Sequence, residues 1–292
     1  MIYLQSFHIP SRKEDEDFFD PRKNPKQGKA NMTVHSSVYP FVLFRMKGMP
    51  DQFEFRDITI FCGDNGSGKS TLLNVMSEML GLKRDSLYNR SDFFDDYLTL
   101  CRYKTASRIT PDSRIITSDD VFSHVLKIRR VNSGIDDKRQ VLIDQYLDSR
   151  SDDADTLLHS LSDYDRWKEV NDARKKSGSE YLRSRLIRNL EERSNGESAL
   201  SFFVDAIADG GLYLLDEPEN SLSAQHQMDL KFFLEDCVRN HNCQFILSTH
   251  SPFLLSLKGA RVYDIDSTPV EVRKWDELDC VKVYKDFFCG NL

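Results

Sequence analysis

The chain opens IYLQSFHI, where apolar β-formers alternate with polar residues, and this period of two predicts a strand. Residues 11–36 are densely charged and contain Pro21 and Pro25, so they read as a long exposed loop. SVYPFVLF and QFEFRDITIFCG predict further strands, and the unbroken ITIF suits a strand buried on both faces. After it, Leu72, Leu73, Val75, Met76, Met79 and Leu80 recur at helical spacing over Lys69–Leu80, with Gly81 as the stop. Charge density rises over 85–193, where Asp119–Arg130, Lys138–Leu147 and Glu180–Arg193 have helical rhythm, the last with a Leu182, Leu186, Leu190 stripe. A mostly helical subdomain inserted in the sheet is expected there. GLYLLDE, CQFILSTH and ARVYDID then predict three more strands, with the amphipathic MDLKFFLEDCV between the first two. Such strand–helix alternation predicts an α/β fold with a parallel, doubly wound sheet.

Composition narrows this only a little. The 292 residues are 39% hydrophobic and 11% aromatic, ample for a buried core. A net charge of -7 argues against tight, non-specific nucleic-acid binding by the whole surface, while leaving a local basic patch open. The six cysteines form no CxxC pair, so neither a zinc site nor a disulfide framework is suggested, and His241 and Cys243 read as packing near a helix end. No basic start with an apolar run and no long apolar stretch is visible, so no membrane association and a cytoplasmic location are expected.

Four motifs carry the chemistry. Gly63-Asp64-Asn65-Gly66-Ser67-Gly68-Lys69-Ser70 fits GxxxxGK[ST], followed by Thr71 in the helix. Glycines let backbone N–H groups turn toward phosphate oxygens, the helix adds its positive end, Lys69 reaches the β- and γ-phosphates, and Ser70 ligates Mg²⁺. Leu212–Glu217 is an apolar strand whose end delivers Asp216 to Mg²⁺ and Glu217 as general base toward the attacking water. Ser194-Asn-Gly196-Glu197 precedes the amphipathic ESALSFFVDAIA. Alone it is a plain N-cap with a capping-box-like glutamate; beside a glycine loop that already serves the phosphate, it reads as reaching a partner's γ-phosphate. His250, in Ser248-Thr-His-Ser-Pro252, follows another buried strand. A single histidine there is more often structural, and the sum of the motifs favours a γ-phosphate sensor instead.

In this order the motifs resemble the ABC-type ATPases: Gly63–Ser70 as Walker A, Ser194–Glu197 as signature, Leu212–Glu217 as Walker B, Asn220–Ser223 as D-loop and His250 as H-loop. Within them the chain is similar to stand-alone bacterial AAA family ATPases related to the RecF and SMC-like branch, through DEPENSLS, STHSPFLL, ITSDDVF and GIDDKR. The resemblance implies a P-loop NTPase of 1–292 with N-terminal antiparallel strands and the insert at 85–193. It implies a homodimer around two ATP molecules with Mg²⁺, higher oligomers left open, each site joining Lys69, Ser70, Asp216 and Glu217 of one chain to Ser194 and Gly196 of the other. It also implies an adenine-stacking aromatic before Walker A, for which Tyr39 and Phe41 are candidates, Phe41 being the better suited to the core.

Some features depart from the family pattern. The signature is SNGE, no glutamine lies between Thr71 and Lys138, and the D-loop has Ser223 where transporters usually place Asp. Ser118, Asp119 or Asp120 is expected near Mg²⁺ in place of the missing glutamine, Asp119 foremost. The function expected is an ATP-hydrolysing switch or clamp in DNA-associated repair or anti-phage defence, with a separate effector chain. The alternative, the ATP-binding subunit of a membrane transporter, sits poorly with the missing glutamine and the atypical signature. Arg174, Lys175, Lys176, Arg183, Arg185, Arg188 and Arg193 leave direct DNA contact open, although Glu180, Glu191 and Glu192 fit a solvated helix face equally well.

Overall fold

The computed structural model describes residues 1–20, 22, 23, 39–150, 175 and 195–290. The chain divides into one compact unit of Met1–Phe122 with Asn195–Leu292 and a second of Ser123–Ser194. The first unit holds two sheets. In the smaller, β1 (Leu4–His8) lies between β2 (Gln52–Glu54) and β4 (Arg102–Thr105), antiparallel to both. The larger contains β3 (Ile58–Cys62), β5 (Arg114–Thr117), β6 (Leu212–Asp216), β7 (Gln244–Ser248), β8 (Arg261–Asp264) and β9 (Glu271–Arg273), in the order β5-β6-β7-β3-β8-β9. All its pairings are parallel except the last, β8 with β9.

The larger sheet is covered on both faces, which is why its central strands read as unbroken apolar runs. Alternate residues serve alternate cores. Phe61, Leu212, Leu214 and Ile246 enter one cluster with Phe7, Phe53, Leu72, Leu73 and Met76. Ile60, Tyr213, Leu215, Phe245 and Leu247 enter the other with Phe203, Leu230, Leu234 and Leu254. On the first face lies α3 (Lys69–Leu80), ended by Gly81 at a left-handed φ of 62°, as the sequence predicts. Leu230 and Leu234 bring α7 (Ala224–Asn240), and Phe203 brings α6 (Asn195–Ala206), onto the second.

Two predicted segments fold otherwise. Residues 11–36, read as a loop, begin with helix α1 (Arg12–Phe19). Ser11 accepts from the Glu14 N–H at 3.3 Å, and Glu14 accepts from the Ser11 N–H at 2.9 Å. This capping box outweighs the high charge, and Phe18 and Phe19 pack on Phe41. SVYPFVLF, read as a strand, instead gives α2 (Phe41–Met46), which buries Phe41 and Phe44, three residues apart, on one face. Within 85–193, residues 85–117 carry α4 (Phe94–Leu100), β4 and β5 of the first unit. Asp119–Arg130 and Lys138–Leu147 fall in one helix, α5 (Ser118–Arg150), continuous through Gly134. Glu180–Arg193 and, Lys175 apart, the basic stretch lie outside the described residues.

Gln244, at the start of β7 and fully buried, joins the two sheets. Its Oε1 accepts from the Tyr3 and Leu4 N–H groups, each at 2.8 Å, and its Nε2 donates to the Leu4 and Arg56 carbonyls at 2.9 and 3.0 Å. Gln244→Leu removes partners from all these groups, and an unsatisfied buried group costs about 1–3 kcal/mol. A loss of at least ~3 kcal/mol is therefore expected in chemical denaturation. A midpoint within error of the wild type would show that β1 docks by other means.

Candidate functional site

The parallel register lines up strand ends at one edge of the large sheet. Thr117 pairs with Asp216, Asp216 with Ser248, Phe61 with Ser248, and Cys62 with Asp264. The carboxyl edge of such a sheet is where α/β folds bind ligands. The glycine loop leaves β3 there and enters α3 through Gly68, whose φ of 100° only glycine adopts readily. A Cβ on Gly68 would also meet Met49 at 3.3 Å. No side chain caps the first turn of α3, so its N–H groups face the loop ready for an anion. Asp64, Asn65 and Gly66 are exposed at the crest of the loop, whereas Ser67 and Lys69 are buried. The Lys69 ammonium donates to the Gly63 carbonyl at 2.6 Å, the Asp64 carbonyl at 3.0 Å and Ser67 Oγ at 3.4 Å.

Asp216 is the hub. Its Oδ1 accepts from Ser70 Oγ at 3.0 Å and from Ser248 Oγ. Burial pushes its carboxyl up, and the two hydroxyls oppose that. Ser70 and Asp216 thus place two hard oxygen donors side by side at the end of the loop, a set that fits Mg²⁺. Glu217 turns the chain in the left-handed region, φ 48° and ψ 55°, strain of the kind found at functional sites. Its N–H is held by Ser248 O at 3.0 Å and Ser248 Oγ at 3.2 Å. Its Oε1 lies 3.4 Å from His250 Nε2, close enough for an ion pair but not aligned as a hydrogen bond, and its Oε2 accepts from Asn220 at 2.9 Å. The contact with His250 holds the Glu217 carboxyl down to about 2, against the opposing effect of burial. The same contact pushes His250 up.

Gly63–Ser70, Asp216, Glu217 and His250 therefore meet at one edge. Other candidates fare differently. Ser194 lies outside the described residues, and Gly196 falls in the first turn of α6. Asp119 is exposed, two residues beyond Thr117. Its neighbour Asp120 is buried and folded back, accepting from the Thr117 N–H at 2.8 Å and Thr117 Oγ1 at 3.0 Å. Tyr39 donates to Thr71 Oγ1 at 3.0 Å and stacks on Phe94, and Phe41 is a core residue as expected. The sequence reading gave no role to Ser248, Glu219 or Asp266. Asp266 Oδ2 accepts from the Asp64 N–H at 2.6 Å and so braces the loop from β8. A polar Ser248 ending the apolar run Phe245–Leu247 of β7 was the one visible signal among them. Among the described residues no group of three or more His, Cys, Asp or Glu side chains is placed to hold a metal ion, and no helix is long and apolar enough to cross a membrane.

A glycine loop on a parallel sheet, with an Asp-Glu pair ending the next strand but one and a histidine after the strand between, marks a P-loop nucleotide-binding domain. The chain belongs to the family described as "AAA domain, putative AbiEii toxin, Type IV TA system", which matches residues 79–256. Among solved structures it is similar to the Smc head domain of Pyrococcus furiosus bound to the C-terminal domain of ScpA, at 15% identity and a TM-score of 0.38, over 82% of this chain and 95% of that one. It is similar to the SMC head domain of Thermotoga maritima at 14% identity and a TM-score of 0.38, over 94% and 99%. A dimeric ATP-binding cassette in a post-hydrolysis state with ADP and Pi is similar at 14% identity and a TM-score of 0.35, over 76% and 88%. No curated protein matches the sequence.

The Glu217–His250 pair makes stability depend on pH. The folded Glu217 lies below its ordinary 4.5, so its contribution is present above that value and fades as pH falls toward 2. The folded His250 lies above its ordinary 6.5, so its contribution is full below 6.5 and is lost as pH rises through the raised value. Both act together between 4.5 and 6.5. Thermal melts of wild type and His250→Ala should differ most inside that window and converge as pH climbs above it. Solvent screening keeps the gap to about 1 kcal/mol or less. A gap that does not vary with pH would contradict the pairing.

Proposed function

We propose that the chain is an ATP-hydrolysing clamp that dimerises around two ATP molecules. The observation that carries this reading is the meeting of Ser70, Asp216, Glu217 and His250 at the end of the glycine loop. Backbone N–H groups of Gly63–Thr71 hold the phosphates, and Lys69 exchanges its loop carbonyls for phosphate oxygens. Ser70 and Asp216, with Asp119 as a further candidate, hold Mg²⁺, which supplies neutralising charge at the phosphates when bound. Tyr39 is the candidate for the adenine, because its bond to Thr71 ties it to the helix that starts at Lys69.

Glu217 orients the attacking water and accepts its proton. While His250 holds it, the carboxyl is a weak base. When His250 turns to the γ-phosphate, that hold is released and the carboxyl returns toward its ordinary range. Ser194 and Gly196 of a second copy close the site from the other side. The motif resemblance supports a cytoplasmic, DNA-associated role in repair or anti-phage defence with a separate effector chain, and no nuclease motif is legible in this one.

Light-scattering mass with and without ATP tests the clamp. Glu217→Gln is expected to slow hydrolysis about 100-fold or more and to trap a dimer in ATP. Ser194→Arg should bind ATP yet stay monomeric. Proven ATP binding with no change in mass, from a monomeric start, would sink the clamp.

A further inference from the structure

The chemistry at this edge is braced by a carboxylate that is not itself among the groups just assigned to ATP. Glu219 sits in the single 3₁₀ turn Pro218–Ser221 that follows Glu217. Its Oε1 gathers donors from consecutive residues: Thr249 Oγ1 at 2.7 Å, the His250 N–H at 2.7 Å and the Ser251 N–H at 3.2 Å. Its Oε2 is sealed from solvent and has no hydrogen-bond partner among the described residues. Burying a carboxyl in this way is costly and pushes its pKa up, and its hydrogen bonds offset only part of that. A residue chosen only to stabilise the turn would not need a carboxyl sealed at this depth.

The geometry assigns a use. The turn after β6 and the segment after β7 are locked at both ends: Ser248 holds the Glu217 N–H, and Glu219 holds the backbone of His250 and Ser251 together with the Thr249 hydroxyl. Between these two locks, Glu217 Oε1 and His250 Nε2 face each other. Ser251 is fixed further by Thr249 Oγ1 at 3.0 Å and by its own hydroxyl bond to Gln227 on α7 at 2.7 Å. The His250 backbone therefore cannot drift, and only its side chain is left to move between Glu217 and a phosphate.

We propose that Glu219 is a positioning residue for hydrolysis, which through its Oε1 fixes the backbone of His250 opposite Glu217. This rests on the ATPase reading above. Glu219 does not touch the glycine loop in any of its hydrogen bonds, so it should govern turnover and not nucleotide affinity. Glutamine keeps an acceptor oxygen in the same place; alanine takes that acceptor from the Thr249 hydroxyl and the His250 N–H and leaves the Ser251 N–H only Thr249 Oγ1.

Steady-state ATPase kinetics on Glu219→Ala and Glu219→Gln, alone and combined with His250→Ala, test it. Glu219→Ala should lower kcat about 10- to 100-fold with KM for ATP within about threefold, as expected when an interaction made only in the transition state is lost. Glu219→Gln should restore kcat to within about threefold, and Glu219→Ala should cost little more once His250 is already alanine, because coupled residues are not additive. Unchanged kcat in Glu219→Ala, parallel loss of affinity, or full additivity with His250→Ala would overturn the proposal. Amide hydrogen exchange at His250 and Ser251 reads the same hold without activity. Exchange should rise in Glu219→Ala and stay slow in Glu219→Gln, and unchanged exchange in both overturns it. If Glu219→Ala does not fold, Thr249→Val and Glu219→Gln remain: Thr249→Val removes one donor and should give a smaller fall in kcat, with wild-type kcat counting against the proposal. A wild-type chain that binds ATP but does not hydrolyse it would sink the ATPase reading, while the exchange data would still judge Glu219.

Discussion

Asp216 is where the molecule's chemistry and its architecture meet. Its Oδ1 takes hydroxyls from Ser70 on α3 and Ser248 on β7, so one buried oxygen ties the glycine-loop helix to two neighbouring strands. That contact exists only because β6 and β7 run parallel with Asp216 opposite Ser248. Slipping either strand by one residue would turn its side chains to the other core and break the contact at once. The hydroxyls that satisfy Asp216 also mark where a cation would find hard oxygen donors.

The next residue shows how neighbouring carboxyls are given different properties by environment alone. Burial pushes Asp216 up, whereas His250 pulls Glu217 down. The left-handed backbone at Glu217 makes this possible, since it turns one carboxyl into the fold and the other out toward the histidine. Ser248 holds that strained turn by accepting the Glu217 N–H, and so serves both acids. Lys69, by contrast, is satisfied by the carbonyls of its own loop, which keep a buried cation solvated by backbone.

Local rules explain where the sequence was legible. β3, α3 and its Gly81 stop, β6 and β7 follow from apolar period and glycine chemistry, because their environments repeat along the chain. The loop Gly63–Ser70 was legible for the same reason: its fold is set by neighbours within a few residues. SVYPFVLF failed because a short apolar run carries no period long enough to separate helix from strand, and the aromatic cluster around Phe18, Phe19 and Tyr97 decided for the helix. The loop reading of 11–36 failed because composition outweighed a capping box that Ser11 and Glu14 do spell.

By itself, then, the sequence determined the alternation of buried strands and helices, the glycine loop and the acidic strand end, since each depends on residues close together in the chain. Only the tertiary structure decided which distant groups serve them. Gln244 meets Leu4 across 240 positions, and Asp266 meets Asp64 across 202. Glu219 meets His250 across 31. Such partners are chosen by strand order and register, which no local pattern encodes, and a single glutamine or glutamate carries no mark of the carbonyl or amide it will find.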